Sequence, residues 1–198
     1  MQEATITAGG IATVLFYNQG LGVAPSLVGT AFLIVSIIDA VSDPIIGTLS
    51  DRLQSRWGRR HPFMFASALP MGIAVYFLYQ PIDGLGEVGL FVWLTAFLAL
   101  LRLGQTFYLI AHDALGAELT DDYAERTSIF GYNNVAEMIL SMVLAAVVLV
   151  VIFPTEEGGP NGLLNEARYI ILAMAGAPTI IFSILLCTFG TLDQLPYM

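Results

Sequence analysis

The chain has 198 residues, 57% of them hydrophobic and 12% charged, with a formal net charge of −9. Soluble globular domains carry about 25% charged residues. This composition, with a mean hydropathy of +0.77, therefore excludes an ordinary water-soluble domain and describes an integral membrane protein. All seven basic residues are Arg, and nothing basic enough to hold nucleic acid is present.

An apolar run of about 18–25 residues crosses the hydrocarbon core as a helix. Six candidates are predicted, the first of them short, over 4–18, 24–50, 62–81, 88–112, 127–153 and 167–190. Between them lie Gly20-Leu-Gly22, an arginine-rich loop over 51–61, the turn Pro81-Ile-Asp83-Gly84, a polar segment 118–126, and the glycine-rich stretch from Pro154 to Glu166. The fold class is all-α, a polytopic bundle of six transmembrane helices over 1–190, with 191–198 opening a cytoplasmic linker. Arg52, Arg56, Arg59, Arg60 and Arg126 lie in the loops after helices 2 and 4, and acids dominate the loops after helices 3 and 5. The positive-inside rule then puts both chain ends in the cytoplasm. Six helices with both ends inside form one half of a twelve-helix transporter. Cys187, in the last span, reads as a packing residue.

Helix 2 carries the most informative residues, Asp39-Ala-Val-Ser-Asp43-Pro. Charged side chains at bilayer depth cost at least about 2.5–3.5 kcal/mol on insertion scales, so they line cavities or ion paths. Spacing of four puts both carboxylates on one helix face. Two like charges so close repel unless a cation or proton lies between them. The pair reads as a coupling-ion site; the plainer alternative is a buried pair satisfied by Arg102, Ser36 or Ser42.

The stretch Gly47-Thr-Leu-Ser-Asp51-Arg52, followed by Arg56-Trp57-Gly58-Arg59-Arg60-His61-Pro62, resembles the loop signature of the major facilitator superfamily. With Asp-x-x-x-Asp-Pro in front and the longer spacer, it looks like the glycoside–pentoside–hexuronide:cation symporters, the melibiose-permease group. Asp113-Ala-Leu-Gly-Ala-Glu118-Leu-Thr-Asp121 and Glu125-Arg126-Thr-Ser-Ile-Phe-Gly131-Tyr132 resemble the same family's link between helices 4 and 5. The similarity runs from about residue 3 to about 190.

The resemblance implies cation-binding roles for Asp39, Asp43 and Thr106. Their hard oxygens suit Na⁺, Li⁺ or H₃O⁺, and one proton alone also serves; no other cofactor is implied. Glu3 falls at the first-helix acid that holds sugar hydroxyls, and Tyr17 is placed to stack on a sugar ring. Gly47, Asp51, Arg52, Arg59 and Arg60 form the cytoplasmic latch between the two halves; the alternative is headgroup anchoring. The family has further residues ahead of Glu3, so the chain is expected to be truncated inside helix 1 or to start at an internal Met.

Two departures stand out. Leu109 occupies the position of the second sugar-binding acid, and Asn134 that of the helix-5 arginine. Arg102 lies one turn before Thr106 within helix 4, where it either neutralises the aspartates or grips a substrate carboxylate. His112, beside Asp113, reads as a surface group or a proton relay. Trp57, Tyr76, Tyr79 and Trp93 read as interface anchors.

The function these readings predict is cation- or proton-coupled symport of a glycoside or related sugar across the cytoplasmic membrane by alternating access. The expected partners are a small sugar, the bilayer and a second six-helix half. An amphiphile carrier of the same superfamily is the alternative. A membrane CDP-alcohol phosphotransferase also carries an Asp-rich motif, but its second acid would fall at Ser55, so no enzyme activity is expected.

Overall fold

A computed structural model describes residues 10–53, 55, 58, 60–118, 120, 122–154 and 162–191. These residues are helical with short connections, and no strand occurs among them. The first helix, α1, is described from residue 10 and finishes in a π-helical turn over Phe16–Gly20. It is followed by α2 (Pro25–Arg52), α3 (His61–Leu78), α4 (Glu87–Glu118), α5 (Tyr123–Val147, continued by a π-helical turn Val148–Ile152) and α6 (Glu166–Gly190). From α2 onward, five helices are long and apolar enough to cross a membrane.

Local sequence explains where these helices begin. Gly22 turns the chain at φ +70°, a conformation glycine adopts without steric cost, and Pro25 then opens α2. The backbone N–H of Ala24 donates to Glu87 Oε1 at 2.9 Å, tying the start of α2 to the start of α4. Asp122 caps α5, accepting from the N–H groups of Ala124 and Glu125 at 2.7 and 3.3 Å. Asn165 caps α6 through the N–H of Ala167.

Caps, more than apolarity, explain why the helix ends differ from the apolar runs. The 4–5 connection is shorter than the polar segment 118–126, because α4 continues through Asp113 to Glu118 and the Asp122 cap starts α5 at Tyr123. Backbone hydrogen bonds carry a helix past its apolar stretch once it leaves the hydrocarbon. At 32 residues, α4 is about 48 Å long against a hydrocarbon core of about 30 Å.

The centre of the bundle is α3, which packs against α4 and α6, while α2 packs on α4. Glycines permit the close approaches. A Cβ at Gly72 would collide with Ile181 of α6, and one at Gly104 would collide with Met71 of α3. Small residues let membrane helices pack this closely. One end of the bundle is closed by aromatic packing. Phe16, Tyr79 and Phe153 surround Tyr169, with ring centroids 4.7–5.7 Å from it. By contrast, no residue of α5 is buried.

Candidate functional site

The candidate site lies where α2 meets α4. Thr106, buried on α4, donates its hydroxyl to Asp43 Oδ1 at 3.0 Å; the carbonyl of Arg102, one turn earlier, is a second acceptor at 3.2 Å. Asp43 is exposed on the face of α2, and Asp39, one turn before it, is half-buried. Asp39 Oδ1 is shielded from solvent and has no hydrogen-bond partner, a costly state for a carboxylate oxygen unless a cation or proton completes it. Pro44 follows inside the same helix and has no N–H to donate to the carbonyl of Ala40. The site thus gathers an unpartnered carboxylate oxygen, a second carboxylate, a hydroxyl and a carbonyl without its helical donor. All are hard oxygen donors.

Arg102 shares the stripe of α4 that holds Thr106. Its Nη1 lies 3.4 Å from Gln105 Oε1, and its charge acts on Asp39. Among the described residues no ion pair joins Arg102 to Asp39 or Asp43. The two acids form a pair, and no group of three or more His, Cys, Asp or Glu able to hold a metal occurs among the described residues.

The other sequence-based candidates divide by location. Tyr17 is fully buried, donates its hydroxyl to the carbonyl of Leu78 at 2.8 Å and meets Phe16 edge-on. In this conformation its ring belongs to the packed end of the bundle and offers no face for stacking on a sugar. Its neighbour Tyr79 is also buried and hydrogen-bonded to Thr13, which corrects its reading as an interface anchor; Trp93 donates to the carbonyl of Phe77. Glu3, Trp57 and Arg59 lie outside the described residues.

At the opposite end of α2, Arg60 is buried and its Nη1 reaches Ser50 Oγ at 2.9 Å and Asp51 Oδ1 at 2.7 Å. Gly47 is half-buried and Arg52 exposed on the same turns of helix. A buried arginine between a hydroxyl and a carboxylate ties the α2–α3 connection to α2 itself. His61 extends that tie to α6, its Nε2 lying 3.1 Å from Thr191 Oγ1. His112 lies 3.3 Å from Asp113 Oδ1 and stacks on Tyr108.

Two residues near this site are absent from the sequence-based set. Gln105 is buried beside Arg102. Glu137 is half-buried near the midpoint of α5. The signal for Glu137 is plain once the helix is drawn, a carboxylate midway along an apolar span.

The profile of the family described as "MFS/sugar transport protein" matches residues 3–197. The inner membrane symporter YicJ of Escherichia coli strain K12 is 36% identical over 122 residues, which are 62% of this chain and 26% of that protein. The putative glycoside/cation symporter YagG of the same organism is 32% identical over 111 residues, 56% of this chain and 24% of the relative. The lactose permease of Lactobacillus helveticus is 24% identical over 199 residues, covering 93% of this chain and 30% of the permease. The matched stretches span about a quarter to a third of each relative.

Proposed function

The chain belongs to the MFS/sugar transport protein family, and from that premise we propose that it is the N-terminal six-helix half of a cation- or proton-coupled sugar symporter. The protein is a multi-pass membrane protein, with five described helices fit to span the bilayer. On this reading it resides in the cytoplasmic membrane with both chain ends in the cytoplasm, and a second six-helix bundle completes the cavity. The substrate is a glycoside or related sugar. Relatives named as glycoside/cation symporter and lactose permease support that class.

One observation carries the proposal. The Asp43–Thr106 hydrogen bond joins α2 to α4, beside an Asp39 oxygen with no partner. Na⁺, Li⁺ or a proton bound there removes the repulsion between two carboxylates and satisfies the open oxygen. Arg102 balances part of the same charge from one turn along α4. The latch of Asp51 and Arg60, with Gly47, Arg52 and Arg59, holds the cytoplasmic side of the α2–α3 connection in one of the two conformations. Glu3 and Arg102 remain substrate-side groups of the proposal. Coupling then arises because ion and sugar both favour the same conformation over its alternative.

The test is vesicle uptake by the complete transporter. An imposed Na⁺, Li⁺ or H⁺ gradient is expected to drive accumulation of a radiolabelled glycoside. Uptake of lysolipid with no response to any cation gradient would overturn the proposal in favour of an amphiphile carrier.

A further inference from the structure

Glu137 lies near the midpoint of the Tyr123–Ile152 span, about 20 Å from either end at 1.5 Å rise per residue. A carboxylate at that depth is expensive in lipid and marks a cavity or a transport path. The exposure pattern of α5 shows which way it points. Tyr132, Val135, Met138, Ile139 and Met142 are exposed and apolar, a surface suited to lipid tails. Glu137 is instead half-buried, at helical spacing with Phe130 and Ser141, which are also half-buried. It therefore lies on the face of α5 that turns toward the bundle.

Depth follows from the register of α4 and α5. The Phe130 ring lies 3.3 Å from where a Cβ of Gly116 would be, and the two helices run antiparallel through a short connection. Two turns along α5 from Phe130 lead to Glu137, and two turns back along α4 from Gly116 lead to Leu109. Thr106, which holds Asp43, is about one helical turn away in depth. Ser141 follows Glu137 at a spacing of four on the same half-buried side of α5, and Asn134, exposed at the edge of that side, precedes it by three. Leu109, at the same depth on α4, cannot accept a hydrogen bond.

We propose that Glu137 is a ligand-binding carboxylate of the transport cavity, accepting hydrogen bonds from the hydroxyls of a neutral glycoside with Asn134 and Ser141 beside it. This rests on the sugar-transport reading above and adds a recognition element on α5. An acid side chain there accepts hydrogen bonds from the hydroxyls of a neutral ligand and offers no favourable partner to an anionic one.

The experiment uses the complete transporter, with radiolabelled methyl glycosides as probes. Glu137→Gln is expected to raise the half-saturating glycoside concentration at least tenfold, while the half-saturating cation concentration changes less than twofold. A purely structural role would lower the amount of transporter in the membrane and leave both concentrations unchanged; that outcome overturns the proposal. A second measurement does not depend on transport. In a background carrying Cys187→Ser and no other reactive thiol, Glu137→Cys is expected to react with a charged methanethiosulfonate, and glycoside to slow the reaction. Met138→Cys, on the lipid-facing side, is expected to remain unlabelled. An unreactive Glu137→Cys in vesicles of both orientations would place residue 137 outside the aqueous path and refute the assignment. If Asp43→Asn leaves cation stimulation intact while Glu137→Gln still weakens glycoside binding, the coupling reading fails and the α5 element stands.

Discussion

Replacing Thr106 by Val tests the candidate cation site with the least disturbance. The side chain keeps its branched shape and loses its hydroxyl, so the 3.0 Å bond to Asp43 Oδ1 disappears. A hydrogen bond to a charged group contributes about 1.5–3 kcal/mol, which corresponds to roughly 10- to 150-fold in an equilibrium constant. The competing 3.2 Å contact of the same hydroxyl with the carbonyl of Arg102 shares its single proton, so an effect near the lower end, about tenfold, is expected. Asp43→Asn is harsher. With a cation about 2.4 Å from the carboxylate and an effective dielectric of about 20, the Coulomb attraction is about 7 kcal/mol, and Asn forfeits nearly all of it. The assay is cation-stimulated glycoside uptake in vesicles holding the complete transporter, with cation concentration as the variable. Thr106→Val should shift the half-saturating cation concentration upward about tenfold, and Asp43→Asn should abolish stimulation without loss of membrane insertion. Unchanged cation stimulation in Asp43→Asn would refute the reasoning, because the charge of Asp43 is what the bound cation is proposed to answer.

Arg102→Gln is expected to shift the cation dependence for every substrate alike if its charge serves Asp39. A selective loss of uronide uptake, by one to two orders of magnitude, would show instead that it grips a substrate carboxylate. Gly72→Leu should cost about 1–3 kcal/mol of stability through overpacking, because a side chain there collides with Ile181; thermal melting in detergent measures the drop, and an unchanged melt would deny the α3–α6 contact. Arg60→Ala removes the bonds to Ser50 and Asp51 and should loosen the α2–α3 end of the bundle, read as faster labelling of cysteines introduced there. Asp122→Ala should weaken the start of α5 by about 1 kcal/mol, seen as faster amide exchange at Ala124 and Glu125.

Much of this arrangement is written locally in the chain. Asp39, Asp43 and Pro44 declare themselves because charge and proline are rare in an apolar run, and their spacing alone puts both acids on one face. The partner of Asp43 is less legible, since Thr106 lies 63 positions away and only the family resemblance points to it. Helix ends are read poorly from apolarity. The α4 helix runs through His112, Asp113 and Glu118 because helical hydrogen bonds need no lipid, and α5 starts where Asp122 caps it. Tyr17 illustrates the opposite failure. An aromatic with a hydroxyl suits either a sugar ring or a packed bundle end, and its burial depends on Leu78, 61 positions away, which no local pattern pairs with it. Glu137 was visible as a carboxylate midway along the α5 span. Its meaning required the pattern of exposure around that helix.

The placement of these groups suggests why ion and sugar would be linked so directly. Arg102, Thr106, Leu109 and Asp113 recur along one stripe of α4 at spacings of four, three and four. Thr106 is therefore fixed to the same rigid helix as Arg102 and Leu109. On the proposed mechanism, a cation at Asp39 and Asp43 relieves the repulsion within α2 and allows Asp43 to keep its bond to Thr106. Without the cation, Asp39 is left to the charge of Arg102 alone, and the attraction between them pulls α4 toward a different seat on α2. A shift of one helix against another by 1–2 Å suffices to disrupt a hydrogen-bonded ligand site. Since α4 carries one wall of the cavity and Glu137 of α5 stands at the depth of Leu109, such a shift changes the distance between the two walls. The ion then governs sugar affinity through helix position, with no contact between ion and sugar. By linkage the sugar governs ion affinity by the same factor. Measuring cation affinity with and without glycoside, in wild type and in Glu137→Gln, isolates this coupling. The ratio should exceed about tenfold in wild type and, once glycoside is saturating, stay within twofold of that value in the variant; a ratio near one in wild type would refute the coupling.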